Sequence, residues 1–565
     1  MKEGVYADAR RTFKLRLGDR RPDRLGRGEG RRTAGGLDRR RITESDSDMT
    51  APAIPAPAPV AGLPGWTGLE RGWLLAVLLV AAVFRFGYLR GDYAHPDEPI
   101  VLGVVAHLHA TGDFDTNWKA AHLPAEFDQN QFNFSGYNLA AWGWTETAGR
   151  LFPATWRHAA GGVGVIRVFS ALLGLVAVAL AFALGRRFGG PPAAVLAGLL
   201  TAVAPLLVQD SHYGRPETFV TALTMLVVWL TLEPGTRPWR RVVLAAFLVG
   251  FLVATKVTLG ALAVLPLGAA GRAARQEPGG ARNWIRWLGW VALGGGAGLF
   301  AGMPYAFFAP GTFFAGVGFL WSQYSGFHPP HNHFDGHCVG DLETAYLVHS
   351  LGFMVLLFAA GAVVVALWRR QWARWWFLAA PVVFYFAYFA TKKVFFERNL
   401  SQVVPLLAVL AGVGGGELLR AVGAGAPVLR RGLIALVAVV LLQRPAVVSL
   451  AILTHGFSGR AQQAARAWAT RVEAAFPGVP LLPLSLLSAR DFDGLAQSLR
   501  GGGEVLVRVP FFNDSHTAHF LPQFERRFFV VEVARRPGVF PDAPVSTLAV
   551  YFGSELRYYL VSGER

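Results

Sequence analysis

The residues of this chain best suited to chemistry are four in succession, His95-Pro96-Asp97-Glu98. They follow an apolar segment, residues 72–89, that is long enough to cross a bilayer. Ionisable side chains at a membrane are costly to keep and often mark functional sites. A carboxylate can accept the proton of an attacking hydroxyl group, so Asp97 and Glu98 are candidate general bases. The structural alternative is that they cap a helix beginning near Pro99.

Further ionisable residues occur between the later apolar segments. They are Asp210, His212, Arg215, Glu217, Lys256, Lys392, Lys393, Glu397 and Arg398. Carboxylates suit acid–base work, whereas arginine holds a phosphate through a planar fork and lysine holds it as a point charge. This combination predicts transfer of a group from a phosphate-bearing lipid. The alternatives are that the acids cap the next helix and that the cations only anchor span ends at the interface.

The composition is that of a membrane protein, because 53% of the 565 residues are hydrophobic and only 16% are charged. The net charge of +17 would suit a nucleic-acid partner, but the basic residues fall in short clusters between apolar runs and in the first 48 residues. Such clusters orient membrane spans under the positive-inside rule. We therefore predict a polytopic α-helical protein of the plasma (inner) membrane, with the lipid bilayer as a partner and no nucleic acid.

The apolar runs and the arginine clusters together predict about eleven transmembrane helices. The predicted spans are residues 72–89, 163–184, 191–208, 218–232, two short spans within 241–270, 285–303, 346–368, 375–390, 399–419 and 431–453. A cytoplasmic N-terminus places the arginine clusters between spans inside and the ionisable residues above outside. One long tilted helix is the alternative for residues 241–270, and residues 306–320 are predicted to be an interfacial or re-entrant piece.

The chain divides into three parts by composition. Residues 1–70 are basic and then rich in proline and alanine, and we predict that they are disordered, with Met49 as a candidate true start. Residues 71–455 form the transmembrane catalytic domain, in which residues 91–160 are a long polar outer loop. Residues 456–565 form a small extracytoplasmic α/β domain, because a helical pattern precedes four short apolar runs typical of strands, VPLLPLSLL, EVLVRVPFF, RFFVVEVAR and STLAVYFG.

Several motifs in this order resemble those of the GT-C glycosyltransferases of family 39, the group of protein O-mannosyltransferases and aminoarabinose transferases. They are HPDE after the first span, SHYGRPET at the end of the third, LVATKVTLGALAVLPL, MPYAFFAP and ERNLSQVVPLLAVLAG. The resemblance covers roughly residues 70–420. It implies a GT-C fold, a sugar donor linked to polyprenyl phosphate, inversion at the anomeric carbon, an active site outside the cell, and a glycan, lipid or protein acceptor.

The resemblance also implies roles for individual residues. Asp97 matches the catalytic base and Glu98 the second position of the acidic pair. Lys256 and Arg398 match basic positions near the lipid phosphate. Asp210 or Glu217 would supply a second acidic site near the donor or acceptor. His212, Arg215 and Tyr305 are further candidates for donor or acceptor binding, and Arg215 is also a candidate for the lipid phosphate. Met303 stands where the family has Asn and Asn399 where it has Tyr, and these departures concern the choice of acceptor.

Two further interpretations stay open from the sequence. In the loop at residues 328–337, His331, His333, Asp335 and His337 alternate, so a divalent metal is an alternative cofactor there, although the sequence names no certain cofactor. The functional alternative to an enzyme is a transporter or flippase of lipid-linked or small solutes. Transporters usually show internal repeats, and no convincing duplication between the halves is found in this sequence. A non-catalytic scaffold is the third alternative.

Overall fold

The structure is a computed structural model. It describes residues 65–89, 95–121, 123, 125–151, 162–232, 237–277, 280–326, 328, 331–333, 335–421, 427–484, 489–511, 514–538 and 555–565. The predicted disordered segment, apart from residues 65–70, and the candidate start at Met49 lie outside the described residues.

The described residues before position 335 form eleven α-helices. They are α1 (Gly68–Phe86), α2 (Glu98–Thr111), α3 (Ser135–Leu151), α4 (Val163–Val203), α5 (Pro205–Asp210), α6 (Glu217–Leu232), α7 (Pro238–Thr255), α8 (Val264–Gln276), α9 (Gly280–Gly302), α10 (Pro304–Phe308) and α11 (Pro310–Ser325). Two short 3₁₀ helices, Ala125–Phe127 and Val257–Ala263, lie between them. The predicted outer loop at residues 91–160 is therefore not a simple loop, because it contains α2 and α3.

The remaining described residues complete the helical part and form the C-terminal domain. The helices are α12 (Gly340–Leu351), α13 (Phe353–Trp368), α14 (Trp372–Ala390), α15 (Val404–Ala421), α16 (Pro427–Ala451), α17 (Arg460–Ala474), α18 (Ala489–Leu499) and α19 (Asp514–Arg527). A 3₁₀ turn spans Glu397–Leu400 and a π-helical turn spans Ile452–Phe457. The strands are β1 (Leu481–Pro483), β2 (Val505–Phe511), β3 (Phe528–Arg536) and β4 (Glu555–Glu564).

The predicted count of about eleven spans is only partly visible. By length and composition, five helices among the described residues are able to cross a membrane, or six if α12 and α13 are one bent span, and two shorter apolar helices accompany them. Two predicted spans merge in α4, which is kinked at Gly190, before Pro191 and Pro192. The predicted span 346–368 is not one straight helix, because α12 and α13 meet at 104°.

Helix breaks occur where the sequence places its ionisable residues. Lys256 has an extended backbone (φ −146°, ψ 116°) between α7 and the next 3₁₀ turn. This break agrees with two short elements in residues 241–270 rather than with one long helix. Likewise, Ala204 is extended between α4 and α5, and a turn at residues 211–216 separates α5 from α6. Helix ends leave polar backbone groups exposed, which makes these breaks natural places for polar side chains.

Small residues let α4 and α15 pack closely at the centre of the helical part. A β-carbon on Gly412 would lie 2.6 Å from the backbone nitrogen of Ala197, which is closer than real contacts allow. The same two helices bury an apolar core that includes Leu184, Leu200 and Val409. Close backbone approach through small residues is a common way to pack membrane helices.

The C-terminal domain is a four-stranded sheet of order β1-β2-β4-β3, in which only β1 and β2 are parallel. Leu506 and Tyr558 pack with Ala469 of α17, whereas Val507 packs with the cluster that contains Phe524 of α19. The sheet therefore has helices on both faces. The first three apolar runs contain β1, β2 and β3 as predicted, the fourth lies outside the described residues, and β4 was missed because charged residues interrupt its pattern.

Candidate active site

The turn that carries Asp97 is held by its own neighbours. The Glu98 amide donates to the His95 carbonyl (3.0 Å), and the Asp97 amide donates to His95 Nδ1 (3.0 Å). Asp97 directly precedes α2, but its side chain makes no capping hydrogen bond to that helix. Among the described residues, Asp97 Oδ2 has no hydrogen-bond donor, and Arg398 Nη2 lies 3.6 Å from it. The backbone of Asp97 is therefore fixed by His95, and its Oδ2 is a buried oxygen that accepts no hydrogen bond from the described residues and lies 3.7 Å from His95 Nδ1.

Glu98 has the opposite environment. Arg167 donates through Nε to Oε1 and through Nη2 to Oε2, both at 2.8 Å. The amides of His95 and Gly214 add hydrogen bonds of 3.0 Å and 2.8 Å. Glu98 is 2% exposed. Its two oxygens therefore accept four hydrogen bonds from the protein itself.

Buried side chains of alternating charge contact one another around the segment between α5 and α6. We call Asp210, Arg215, Glu217 and Lys256 the charge ladder. Arg215 Nη2 donates to Asp210 Oδ1 (2.7 Å), and Arg215 Nε lies 2.8 Å from Glu217 Oε2. Ser401, from the turn before α15, donates to Asp210 Oδ2 (2.7 Å). Buried charges are stable only when they are paired in this way. The ladder therefore joins the predicted acidic segment at residues 210–217 to the region around Arg398.

The ladder ends at Lys256, whose Nζ donates to Glu217 Oε1 at 2.7 Å. Lys256 is the residue with extended backbone at the break after α7. The side chain is 17% exposed, in contrast to the fully buried Glu217. Lys256 therefore connects the buried ladder to open space.

That open space is a cavity of about 790 Å³. The cavity takes polar groups from Lys256, Arg398, Asn133, Thr258, Gln323, Asn399 and Tyr324. Tyr324 donates to Asn399 Oδ1 at 3.0 Å. The remainder of the wall is mainly apolar or aromatic, from Leu262, Val264, Val317, Leu320, Trp321, Ala380, Pro381, Phe384, Tyr385 and Tyr388. A cavity with two cations and a largely apolar wall suits an amphipathic molecule that carries an anionic group.

His95 connects the Asp97 turn to the ladder, because Arg215 Nη1 contacts its Nε2. Burial holds the pKa of His95 well below its usual value, and the positive charges of Arg215 and Arg398 lower it further. The lowered pKa favours the neutral imidazole. A neutral ring has a single acceptor nitrogen, so His95 can accept from the Asp97 amide at Nδ1 or from Arg215 at Nε2, but not from both at once.

Other predicted site residues lie outside this constellation. Both ring nitrogens of His212 lie 2.7 Å from backbone carbonyls, of Val208 and Gly87, which fits a structural position. Tyr305 packs in α10 against a small cluster that contains Met303 and Phe132. Lys392 Nζ lies 4.2 Å from the rings of both Trp321 and Tyr388, at the wall of the cavity.

The histidine-rich loop does not form a metal cluster in the part of it that is described. His333 Nε2 pairs with Asp341 Oδ1 at 2.8 Å, and His337 pairs with Asp335 at 3.3 Å. Among the described residues of the chain, no group of three or more histidine, cysteine, aspartate or glutamate side chains is arranged to hold a metal ion.

Sequence reasoning missed two members of the site. Arg167 is a single arginine close to the start of a predicted span, where its charge alone was a signal that it needs a buried partner. Ser401 carries no comparable signal, because a serine near a span end is common. The fold places Arg167 beside Glu98 and Ser401 beside Asp210, and only these contacts identify the two residues as part of the site.

Residues 161–276 match the family model of dolichyl-phosphate-mannose-protein mannosyltransferases. This match confirms the resemblance to GT-C enzymes of the family 39 type over the segment that contains Asp210, Arg215, Glu217 and Lys256. No curated protein matches the chain in sequence.

The solved structures of two proteins are similar to this chain. ArnT from Cupriavidus metallidurans bound to undecaprenyl phosphate shares 14% identity over 88% of this chain and 98% of its own, with a TM-score of 0.49. The archaeal oligosaccharyltransferase AglB from Archaeoglobus fulgidus, in complex with an inhibitory peptide and a dolichol-phosphate, shares 12% identity over 82% of this chain and 73% of its own, with a TM-score of 0.47.

Proposed function

We propose that the protein is a membrane glycosyltransferase that moves a sugar from a polyprenyl-phosphate donor to an acceptor hydroxyl group. The observation that carries this proposal is the cavity, in which Lys256 and Arg398 border a largely apolar wall. A polyprenyl phosphate has matching parts, an anionic phosphate and a long apolar chain. The match of residues 161–276 to a mannosyltransferase family supports the same donor class.

In this mechanism Asp97 is the general base. Its Oδ2, which accepts no hydrogen bond from the described residues, would take the proton from the acceptor hydroxyl group as the oxygen attacks the anomeric carbon. The bond between that carbon and the phosphate oxygen breaks, and the polyprenyl phosphate leaves with the electron pair. Direct attack inverts the anomeric carbon. General-base catalysis of this kind contributes about 10²–10⁴ in rate.

The leaving phosphate is held by the two cations of the cavity. Arg398 contributes its fork and Lys256 its point charge. Glu217 holds Lys256 in position, Arg215 pairs with Glu217, and Asp210 pairs with Arg215. We place this site at the extracytoplasmic face of the plasma membrane, because the arginine clusters between the predicted spans then lie in the cytoplasm.

The test is transfer by the purified protein in lipid vesicles. Radiolabelled mannosyl-phosphoryl polyprenol serves as the first donor probe, and delipidated envelope from a strain that lacks the gene serves as the acceptor. We expect label in the acceptor fraction and an equal amount of released polyprenyl phosphate. Glucosyl, galactosyl and arabinosyl donors of the same lipid extend the test to other sugars.

The same experiment separates the enzyme from a transporter or flippase. A flippase would move intact labelled lipid across the vesicle membrane without releasing polyprenyl phosphate. That result with every sugar donor would reject the proposed function.

A further inference from the structure

Glu98 is the second residue of the acidic pair, and its surroundings differ from those of a proton acceptor. Two hydrogen bonds from Arg167 and two from backbone amides satisfy both oxygens. The side chains of Glu98 and Arg167 are both buried. A carboxylate with four protein donors and almost no exposure is poorly placed to meet a substrate hydroxyl group.

We propose that Glu98 and Arg167 form a positioning clamp for the Asp97 carboxylate and take no part in proton transfer. This inference rests on the proposed function, in which Asp97 is the base. The turn at residues 95–98 is closed twice, by the Glu98 amide on the His95 carbonyl and by the His95 amide on the Glu98 side chain. Fixing Glu98 therefore fixes the residue between them.

The clamp joins three separate parts of the chain. Glu98 lies at the start of α2, Arg167 lies in the first turns of α4, and Gly214 lies in the segment that carries Arg215. Because Arg215 contacts His95 and pairs with Asp210, the clamp also sets how far Asp97 lies from the charge ladder. Only an arginine offers two parallel donors to one carboxylate, so a lysine at position 167 would leave part of the clamp unmade.

The close approach of Gly214 is a second observation for the clamp. A β-carbon there would lie 3.1 Å from Ile166 Cγ2 and 3.5 Å from Glu98 Oε1. Glycine thus allows the backbone amide to reach the carboxylate beside α4. A larger residue would have to push against the neighbour of Arg167.

The test first measures position without relying on activity. In full-length protein with the single cysteine replaced (Cys338→Ser), Asp97→Cys provides one thiol, and its reaction rate with a charged maleimide reports the accessibility of position 97. We expect Arg167→Met or Glu98→Gln to raise this rate at least fivefold, and Arg167→Lys to raise it less. The matched control is Arg150→Met, because Arg150 is an exposed arginine paired with Glu146 at 3.8 Å.

A labelling rate that Arg167→Met leaves unchanged would overturn the clamp. If that variant does not accumulate as folded protein, Arg167→Lys decides in its place, and an unchanged rate again overturns the inference. The labelling rate does not depend on transfer. A protein without transferase activity would therefore reject the proposed function, whereas the labelling rate would still test the clamp.

The kinetics of sugar transfer, measured with Asp97 intact, then distinguish a positioning role of Glu98 from direct proton exchange by Glu98. For a clamp, Glu98→Gln and Arg167→Met lower kcat by similar factors, about tenfold to a hundredfold, with donor KM changed less than threefold. The double variant loses no more than the worse single variant, because both remove one interaction. If Glu98→Gln abolished kcat while Arg167→Met retained the wild-type value, Glu98 would exchange protons itself and the inference would be wrong.

Discussion

Lys256 Nζ lies 2.7 Å from Glu217 Oε1, and this ion pair connects a helix break to the start of another helix. Glu217 is fully buried and also lies against Arg215, whereas Lys256 reaches the cavity. The ion pair therefore links the buried charged residues to the cavity in which we propose that a phosphate binds.

Removal of the lysine cation should affect both stability and transfer. Lys256→Met leaves the buried Glu217 carboxylate with one cation fewer, and breaking a buried pair in this way costs about 3 kcal/mol or more. We expect a lower thermal unfolding midpoint and at least a hundredfold loss of transfer. The double variant Lys256→Met/Glu217→Gln should recover part of the midpoint but none of the transfer. Recovery of transfer in that variant would show that the lysine does not bind the phosphate.

Arg398 should contribute mainly to donor binding. It borders the cavity and packs over the Phe396 ring, 4.3 Å from the ring centre. We expect Arg398→Ala to lower kcat/KM for the lipid donor about a hundredfold, equivalent to about 2.7 kcal/mol, and Arg398→Lys about tenfold. Steady-state kinetics at varied donor concentration measure both. The matched control is the exposed cation Lys393, and an equal loss in Lys393→Ala would mean that general surface charge is responsible.

His95 should make the folded protein less stable in acid. Because its folded-state pKa is lowered well below the usual value of about 6.5, only the unfolded chain gains a proton as the pH falls below 6.5. Stability is thus fully present above pH 6.5 and is lost as the pH falls from there toward the folded-state pKa.

The variant His95→Gln removes this titration. Between pH 7.5 and pH 5.5, thermal unfolding midpoints should fall more in the wild type than in His95→Gln. The control His337→Gln replaces an exposed histidine, 75% accessible at its side chain, and should follow the wild type. Identical pH dependence in wild type and His95→Gln would contradict a buried neutral histidine.

Much of the site could be predicted from the sequence, because charged residues in apolar surroundings are conspicuous. In the structure, contacts between side chains, in part through Arg215 and His95, link Asp97, Asp210, Glu217, Lys256 and Arg398. The break at Lys256 also followed from the basic residues at both ends of its apolar stretch. Each of these signals lies within a short stretch of sequence, so it can be recognised without knowledge of the fold.

The parts that could not be predicted depend on contacts between distant segments. The difference between Asp97 and Glu98 is set by Arg167 and Gly214, which are 69 and 116 residues away from Glu98. The bend between α12 and α13 depends on the positive φ of Gly352, and an apolar run gives no sign of it. Residue type shows that a charge needs a partner, but only the fold shows which partner it finds.

The central claim is that Asp97 is the general base, and the most direct measurement compares transfer with donor binding in Asp97→Asn. The amide keeps the size of the side chain but cannot accept the proton. We predict a loss of kcat of at least a hundredfold, with polyprenyl-phosphate binding, measured by native mass spectrometry, within threefold of the wild type. Asp113→Asn, beyond the far end of α2, serves as the control and should keep full activity. Wild-type kcat in folded Asp97→Asn would contradict the account.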